Sequence, residues 1–217
     1  MKKVRLGDNG FTLVEIMVSM AISSLVIAGI YGVYTIQQRS YTVQAQVSEM
    51  QQRIRGAVDY MARNIRMAGY DPNSVECEPD LITAVPGTLE FDICEAGKTE
   101  YRITIAYDPT EGDINVTTDA DRDGDASSMP LAEGVDAFLF RYLDSQGDPA
   151  SGNNIKVVEI SMLVRSNSPD FKHTNTMTYI PGSGSAADWT LASGFTNPPN
   201  DNFHRRLLVT SIALRNM

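Results

Sequence analysis

The sequence predicts an α+β protein in which one long N-terminal helix, with an apolar first half, packs on a mostly antiparallel β-sheet head. Three observations support this prediction. A helical pattern runs without proline from Phe11 to Pro72, alternating strand patterns follow it, and strands and helices never alternate along the chain. Because that alternation is missing, the sequence does not favour a doubly wound nucleotide-binding fold.

The first half of the predicted helix is a charge-free apolar run. Between Ile16 and Gln38 there are 23 residues without Asp, Glu, Lys or Arg. As a helix rising about 1.5 Å per residue, this run is about 35 Å long, enough to cross a hydrocarbon core of about 30 Å. Glu15 lies at its start, and a carboxylate beside lipid indicates a functional site. Small residues that permit close helix contacts recur along the run: Ser19, Ser23, Ala28, Gly29 and Gly32.

The second half of the helix is predicted to be amphipathic and to lie on the sheet. Its apolar residues recur at steps of three and four: Val43, Val47, Met50, Ile54, Val58, Met61, Ile65 and Ala68. Arg66 suits the C-terminal end of the helix dipole, and Gly69 suits the C′ position. We therefore predict one helix from about Phe11 to Ala68, membrane-spanning over residues 11–38 and amphipathic over residues 39–69.

Residues 70–217 are predicted to form a globular β-rich head. Strand patterns occur at residues 88–93, 100–107, 114–118, 135–143, 155–164, 174–180 and 207–214. A turn is expected at residues 144–148 and a loop at about 70–81. A second loop is expected at 182–201, where Trp189 and Phe195 either form an exposed contact or fold back onto the sheet.

Composition restricts the partners of the protein. The formal net charge is -9, and residues 1–10 carry a net charge of +2, so the chain from Phe11 onwards stands near -11. We expect no binding to nucleic acid, because phosphate binding relies on clustered Lys and Arg. The basic residues before the apolar run predict a cytoplasmic N-terminus, with the bulk of the chain on the other side of the membrane.

The six residues from Gly10 to Glu15, Gly-Phe-Thr-Leu-Val-Glu, resemble the class III signal of type IV pilins and pseudopilins. An ordinary secretory signal differs, because its cleavage site follows the apolar region. The resemblance implies that prepilin peptidase cuts after Gly10 and removes the leader, residues 1–10. It also implies that the new amino group of Phe11 is N-methylated, and that Glu15, the fifth residue of the mature chain, acts in filament assembly.

Parts of the chain beyond the predicted membrane-spanning segment, in the helix end and the head, resemble PilW-type minor pilins. The similar stretches are residues 59–72, residues 140–147 and residues 205–216. The resemblance implies a single-pass protein of the bacterial inner membrane with a periplasmic head, which enters the pilus fibre after assembly. Its implied partners are other minor and major pilins and the pilus assembly platform. Two alternatives stay open: a type II secretion pseudopilin resembling GspJ, which shares the anchor, and a calcium-dependent tip adhesin.

Cys77 and Cys94 are the two cysteines of the chain. In an exported protein such a pair suggests one disulfide. It would close a loop of about 18 residues and contribute about 3 kcal/mol in the chain-entropy model. Two free thiols or a metal pair are the alternatives. A metal pair is disfavoured because the sequence has no Cys-x-x-Cys and no nearby His.

Four aspartates at alternate positions, Asp119, Asp121, Asp123 and Asp125, together with Gly124 match the first half of a calcium-binding EF-hand loop. The second half departs from that pattern, because Ser127 is at position 9 and Pro130 replaces the bidentate Glu at position 12. The sequence leaves open a calcium site or a solvated acidic turn. In either case we expect the segment to be a loop with no catalytic role.

No catalytic motif stands out in the sequence. It has no Walker A loop, Gly-x-Gly-x-x-Gly, His-Glu-x-x-His or Gly-x-Ser-x-Gly, and His173 and His204 are isolated from one another along the chain. We therefore predict a protein that is not an enzyme and that requires no cofactor, apart from the candidate calcium ion.

Overall fold

The computed structural model describes residues 11–71, 81–94, 100–119 and 125–216. Over these ranges the elements are one helix, α1 (Leu13–Met67), and nine strands, with two short 3-10 helices at Gly152–Asn154 and Ala186–Asp188. The strands are β1 (Leu81–Val85), β2 (Thr88–Cys94), β3 (Glu100–Asp108), β4 (Asp113–Asp119), β5 (Ser127–Ala132), β6 (Val135–Leu143), β7 (Val157–Arg165), β8 (Thr190–Leu191) and β9 (Arg205–Ala213). The predicted α+β class is confirmed.

The chain divides into two compact units, Met1–Ala45 and Gln46–Met217. The described part of the first unit is the N-terminal portion of α1, with Gly29 and Gly32 inside the helix. The second unit contains the rest of α1 and the strands. Because the division falls inside α1, one continuous helix contributes to both units.

The strands form two antiparallel sheets, whereas the sequence predicted one. Sheet A has the order β1-β2-β3-β4-β5, in which each strand pairs with the next along the chain. Sheet B has the order β8-β6-β7-β9. Its centre is the β6–β7 hairpin, and β9 pairs with β7 along all nine of its residues. The chain passes from sheet A to sheet B at Glu133 and Gly134, the two residues between β5 and β6.

Three strands were not predicted: β8 lies within the predicted loop at 182–201, and β1 and β5 lie mostly in segments to which the sequence assigned no element. β1, β5 and β8 are edge strands. β5 has four exposed residues and contains Pro130, which is tolerated at a sheet edge because no outward N–H is needed there. Edge strands such as these carry little apolar alternation, so their sequence pattern is weak.

The predicted strand at 174–180 was wrong. In that segment only Asn175 makes an isolated bridge, to Asp201. The N–H of Tyr179 donates to the side-chain oxygen of Asn197 at 2.9 Å, so side chains replace a strand partner. The segment therefore packs against a neighbouring loop without forming a ladder.

The main core lies between the second half of α1 and the two sheets. α1 contributes Met50, Ile54, Ala57, Met61, Ile65 and Ala68, all buried. The predicted apolar stripe of α1 is confirmed except near its middle. There Ala57 is buried, whereas Val58 is only partly buried. In β6 the aromatic residues Phe138, Phe140 and Tyr142 join the same core. Burial of this stripe positions the helix on the head.

The other face of sheet B is covered by a smaller cluster. Ala137 and Leu139, which alternate with the core aromatics along β6, pack with Leu163, Tyr179 and Trp189. Trp189 is 7 % exposed, and its indole N–H donates to the carbonyl oxygen of Tyr179 at 3.0 Å. Trp189 therefore folds back onto the sheet, one of the two alternatives that the sequence left open.

The C-terminal end of α1 is closed by backbone and side-chain contacts. Gly69 has φ 76°, the left-handed conformation expected of a C′ glycine. The N–H of Gly69 donates to the carbonyl of Asp92 at 3.3 Å, and the N–H of Cys94 donates to the carbonyl of Tyr70 at 2.9 Å. The side-chain amide of Asn216 donates to the carbonyl of Arg66 at 3.2 Å. These contacts attach the helix end to β2 and to the residues after β9.

Candidate functional site

The start of α1 is a capping box formed by Thr12 and Glu15. The hydroxyl oxygen of Thr12 accepts from the N–H of Glu15 at 3.3 Å. In return, Oε2 of Glu15 accepts from the N–H of Thr12 at 2.9 Å and from its hydroxyl at 2.8 Å. This reciprocal arrangement satisfies backbone donors that a helix start leaves without intrahelical partners. The Thr-x-x-Glu spacing is visible in the sequence, but our sequence analysis did not assign it.

The helix behind this cap exposes apolar side chains around its whole circumference. All residues from Phe11 to Thr42 are exposed, including Phe11 at 84 % and Leu25 at 74 %. Polar side chains in this stretch bond within the helix: the hydroxyl of Ser19 donates to the carbonyl of Glu15 at 2.7 Å, and that of Thr35 to the carbonyl of Gly32 at 2.9 Å. Such internal bonds lower the cost of placing hydroxyls in lipid.

Among the described residues, α1 is the one helix that is long and apolar enough to cross a membrane, and it lies near the N-terminus. Glu15 is the charged residue at the start of its apolar run. The structure therefore places Phe11 and Glu15 together at the beginning of the helix. The other residue of the predicted processing site, Gly10, lies outside the described residues.

Half of the predicted disulfide lies in the described part of the chain. Cys94 ends β2, is 4 % exposed and is disulfide-bonded. Cys77 lies outside the described residues, so the pairing with Cys77 stays a prediction. The backbone contact between Cys94 and Tyr70 holds this cysteine beside the segment that follows the helix.

The predicted calcium ligands are only partly described. Asp119 is the last residue of β4 and Asp125 is exposed, whereas Asp121 and Asp123 lie outside the described residues. Within the described ranges, Oδ1 of Asp119 is buried and accepts no hydrogen bond. Asp119 is paired in register with Arg102, whose pKa is raised by Asp92 first and also by Glu90 and Asp119. No group of three or more His, Cys, Asp or Glu in the described residues is arranged to hold a metal.

The two histidines are isolated in the sequence but meet in the structure. The rings of His173 and His204 stack with centroids 4.2 Å apart and planes at 16°. Nε2 of His204 lies 3.4 Å from Oδ2 of Asp170. This contact joins the segment after β7 to the segment before β9. Sequence spacing gave no signal for it, because the two histidines are 31 positions apart.

An ion-pair cluster of four residues, Arg165, Asp136, Asp201 and Arg205, was also missed by the sequence analysis; its central pair, Arg205 and Asp136, has buried side chains. The Nε of Arg205 donates to Asp136 at 2.6 Å, and its two terminal nitrogens donate to the two oxygens of Asp201 at 2.6 Å each. The side chains of Arg205 and Asp136 are 1 % and 3 % exposed. Arg165 adds a longer contact to Asp136, 3.5 Å.

The electrostatics of this ion-pair cluster follow from burial and charge. Burial raises the pKa of Asp136, while the charges of Arg205 and Arg165 oppose that rise. The pKa of Asp201, which is less buried, is lowered by its hydrogen bonds from Arg205. Asp136 belongs to a strand whose other residues, apart from Arg141, are apolar or aromatic, and nothing in the sequence pattern of β6 predicted that Asp136 is buried beside a partner 69 positions away.

The comparison with known proteins bears on the N-terminal segment. Residues 5–31 match the family model described as the prokaryotic N-terminal methylation motif. No curated protein matches the chain. The motif covers the predicted cleavage site after Gly10, the Thr12–Glu15 cap and much of the apolar helix, and it implies processing by prepilin peptidase and assembly with other pilins. The chain therefore joins an N-terminal methylation motif, of the kind found in type IV pilins and pseudopilins, to an α+β head.

Proposed function

We propose that the protein is a minor pilin of a type IV pilus, most similar to the PilW type. The observation that carries the proposal is a methylation motif on a helix that is apolar and exposed all round, with one carboxylate at its start. Such a helix is suited to lipid before assembly and to a bundle of like helices afterwards. The acidic, disulfide-bonded head agrees with a position outside the cytoplasm.

The proposed mechanism begins in the inner membrane, with the leader in the cytoplasm and the head in the periplasm. Prepilin peptidase cuts after Gly10, and the freed amino group of Phe11 is N-methylated. The apolar helix then moves from lipid into the helix bundle of the fibre, with the help of the assembly platform. No residue of this chain acts as a catalyst in these steps.

Glu15 is proposed to select the register of the incoming subunit. Its capping hydrogen bonds use Oε2. We therefore propose that Oε1 pairs with the Phe11 amine of a neighbouring subunit, so that the helix cap and the ion pair can form at the same time. Pairing with that amine offsets the cost of a carboxylate that has no counter-charge within the apolar bundle.

Substitutions at Glu15 separate the ion pair from the helix cap. Glu15→Ala is expected to leave membrane insertion intact and to abolish incorporation into fibres, because the carboxylate is lost. Glu15→Gln keeps an oxygen that can accept the cap hydrogen bonds but removes the charge, and we expect the same loss. Thr12→Val, which removes the hydroxyl and keeps the charge, is the matched control and is expected to retain more incorporation than Glu15→Gln.

The readout is immunoblotting of sheared fibres beside the cell membranes. Normal incorporation of Glu15→Ala would contradict the assembly role of Glu15. If Glu15→Gln assembled like wild type, the role of Glu15 would be helix capping and the charge would be irrelevant.

The assignment to a pilus is tested by mass spectrometry of fibres sheared from the native host, with the remaining membranes analysed in parallel. We expect trace amounts in the fibres, starting at N-methylated Phe11. Processed protein found in membranes alone would favour a type II secretion pseudopilin. An intact leader in a host with active prepilin peptidase would contradict both assignments.

We further propose, from the spacing of Asp119, Asp121, Asp123 and Asp125, that this loop binds one Ca²⁺. Carboxylates at alternate positions are hard oxygen ligands of the kind calcium prefers. The test is isothermal calorimetry of the metal-stripped protein with CaCl₂, and Asp121→Asn is expected to weaken binding. Equal heats for wild type and variant would contradict the site. Calcium-dependent attachment of cells, with assembly unchanged, would add the adhesin role.

A further inference from the structure

A small cavity lies at one end of sheet B, where three connecting segments meet. Its volume is about 190 Å³. It is bounded by the β3–β4 turn, by the segment that enters β6, and by residues 192–196 after β8. The last of these segments lies within the predicted loop at 182–201. All of these residues belong to the compact unit Gln46–Met217.

The ion-pair cluster also lines the cavity, with Arg205 and Asp136 as its buried pair, and the charges of the cluster balance. Arg205 is shared between Asp136 and Asp201, and Arg165 brings a second positive charge to Asp136. Two arginines therefore face two aspartates. A charged ligand would add an unbalanced charge beside these desolvated groups, which is energetically costly, whereas a neutral polar ligand would not.

The rim of the cavity supplies both hydrogen-bond donors and acceptors. Exposed hydroxyls come from Thr110, Ser193 and Thr196. Those of Thr110 and Ser193 can donate and accept, whereas the hydroxyl of Thr196 donates to the carbonyl of Pro198 at 3.1 Å and offers an acceptor. Glu111, also exposed, supplies an acceptor carboxylate at the rim. Phe195 borders the cavity, but its ring lies against the guanidinium of Arg205, 5.1 Å from the ring centroid, and the lining is mainly polar.

We propose that this cavity binds one neutral monosaccharide unit of a glycan. A pyranose carries hydroxyls around its edge, which match the donors and acceptors of a mainly polar lining. At about 190 Å³ the cavity is smaller than the pockets of about 300–1,000 Å³ that hold drug-sized ligands, so it suits a single sugar ring. The negative charge of Glu111 disfavours an acidic sugar.

The experiment uses the mature full-length protein in lipid nanodiscs, because alkyl-glycoside detergents would themselves present sugar. Saturation-transfer NMR is recorded with glucose, galactose, mannose, N-acetylglucosamine and N-acetylgalactosamine, and with glucuronate as the acidic probe. We expect a saturable signal for at least one neutral sugar. A millimolar dissociation constant is expected for a ligand with about twelve non-hydrogen atoms.

Three variants locate the binding site. Ser193→Trp places a large side chain on the rim and is expected to abolish the signal. Glu111→Ala removes the rim carboxylate and is expected to weaken binding by at least about threefold, as for the loss of one hydrogen bond. Ala187→Trp is the matched control, because Ala187 is an exposed residue of the same loop region that does not line the cavity. It is expected to bind like wild type.

Three outcomes would overturn the proposal: no response to any neutral sugar well above millimolar concentration, tighter binding of glucuronate than of the neutral sugars, or unchanged binding by Ser193→Trp with a wild-type circular dichroism spectrum. The proposal does not depend on the assembly role, since binding is measured on the isolated protein. Loss of fibre incorporation in the Glu15 variants leaves it unaffected.

Discussion

Gly182 lies against β7 and β9 so closely that a methyl group does not fit. A Cβ built there would overlap the carboxylate of Glu159 and lie 2.9 Å from Cγ1 of Val209. Glu159 is held in place by Arg141, 3.5 Å away. We therefore expect Gly182→Ala to lower the free energy of unfolding by about 1–3 kcal/mol, as measured by thermal denaturation.

Gly56→Ala is the matched control for this prediction. Gly56 is exposed inside α1, and a Cβ built there meets no atom within 4 Å. The substitution should stabilise the protein by about 0.5–1 kcal/mol, because alanine loses less backbone entropy in a helix. Equal shifts of the melting temperature for the two alanine variants would show that the close approach at Gly182 carries no cost.

Asp201 gives a prediction about pH. Its folded pKa lies below the ordinary value of 3.8 because Arg205 donates to it. A lowered carboxyl pKa contributes stability above the unfolded pKa, and this contribution is lost as pH falls through the folded pKa. Asp201→Asn should therefore lower the free energy of unfolding by about 1–3 kcal/mol at pH 7. The difference from wild type should shrink below about pH 4.

The measurement is the melting temperature of wild type and Asp201→Asn over a pH series. Asp136, whose pKa is raised by burial and also by the charge of Asp201, has the opposite pH dependence, so Asp136→Asn is measured over the same pH series to separate the two contributions. A difference that stayed constant from pH 7 to pH 3 would refute the assignment of the ion pair to Asp201.

At this scale the sequence predicted residues with a local pattern and missed residues paired over long distances. Phe11 and Glu15 are recognisable because they stand at fixed positions beside an apolar run. Arg205 and Asp136 are 69 positions apart, and only the pairing of β9 with β7 and of β7 with β6 brings them together. No short-range spacing encodes that contact.

Among the elements, the end of α1 provides a direct test. The side-chain amide of Asn216 donates to the carbonyl of Arg66 at 3.2 Å and lies 3.5 Å from that of Ala68. These carbonyls lie at the C-terminal end of the helix, where no further helical N–H groups are available to donate to them. Asn216→Ala should destabilise the head by about 0.5–1.5 kcal/mol and raise hydrogen exchange in the last helical turn.

The control for this prediction is Arg215→Ala, at the exposed neighbouring residue. Hydrogen exchange followed by mass spectrometry should show faster exchange at residues 65–70 in Asn216→Ala and no change in the control. Equal exchange in both variants would mean that water satisfies these carbonyls as well as the amide does.

The elements themselves were predictable where burial imposes a period. The long helix and strands β2, β3, β4, β6, β7 and β9 were anticipated from their apolar patterns. Three of the edge strands, β1, β5 and β8, were not; β5 is exposed over Ser127–Pro130 and gains its conformation from pairing with β4. The segment at 174–180 has strand-like alternation, but its polar groups are satisfied by side chains such as Asn197.

For the molecule as a whole, a covalent link beside the helix end is the most consequential prediction. We expect Cys77 and Cys94 to be joined, because Cys94 is disulfide-bonded and these are the two cysteines of the chain. A closed loop of about 18 residues contributes about 3 kcal/mol in the chain-entropy model. Non-reducing peptide mapping should give a linked Cys77–Cys94 peptide, and reduction should lower the melting temperature.

The control for this prediction is Cys77→Ser, which should melt at the same temperature with and without reductant. A wild-type protein whose melting temperature did not respond to reductant, or a map with both thiols alkylated, would contradict the link. At this scale the class of the fold was predictable, but the division into two sheets was not, because strand order depends on pairing that no single strand specifies.

The contact between Asn216 and Arg66 spans 150 positions, and β9 is synthesised after every other strand. The amphipathic half of α1 therefore leaves the ribosome long before the residues that cover it. Contacts of such high sequence separation form slowly, because loop closure must precede them. The head is therefore expected to complete its core only after β9 has been synthesised, and the core-facing stripe of the helix stays uncovered until then.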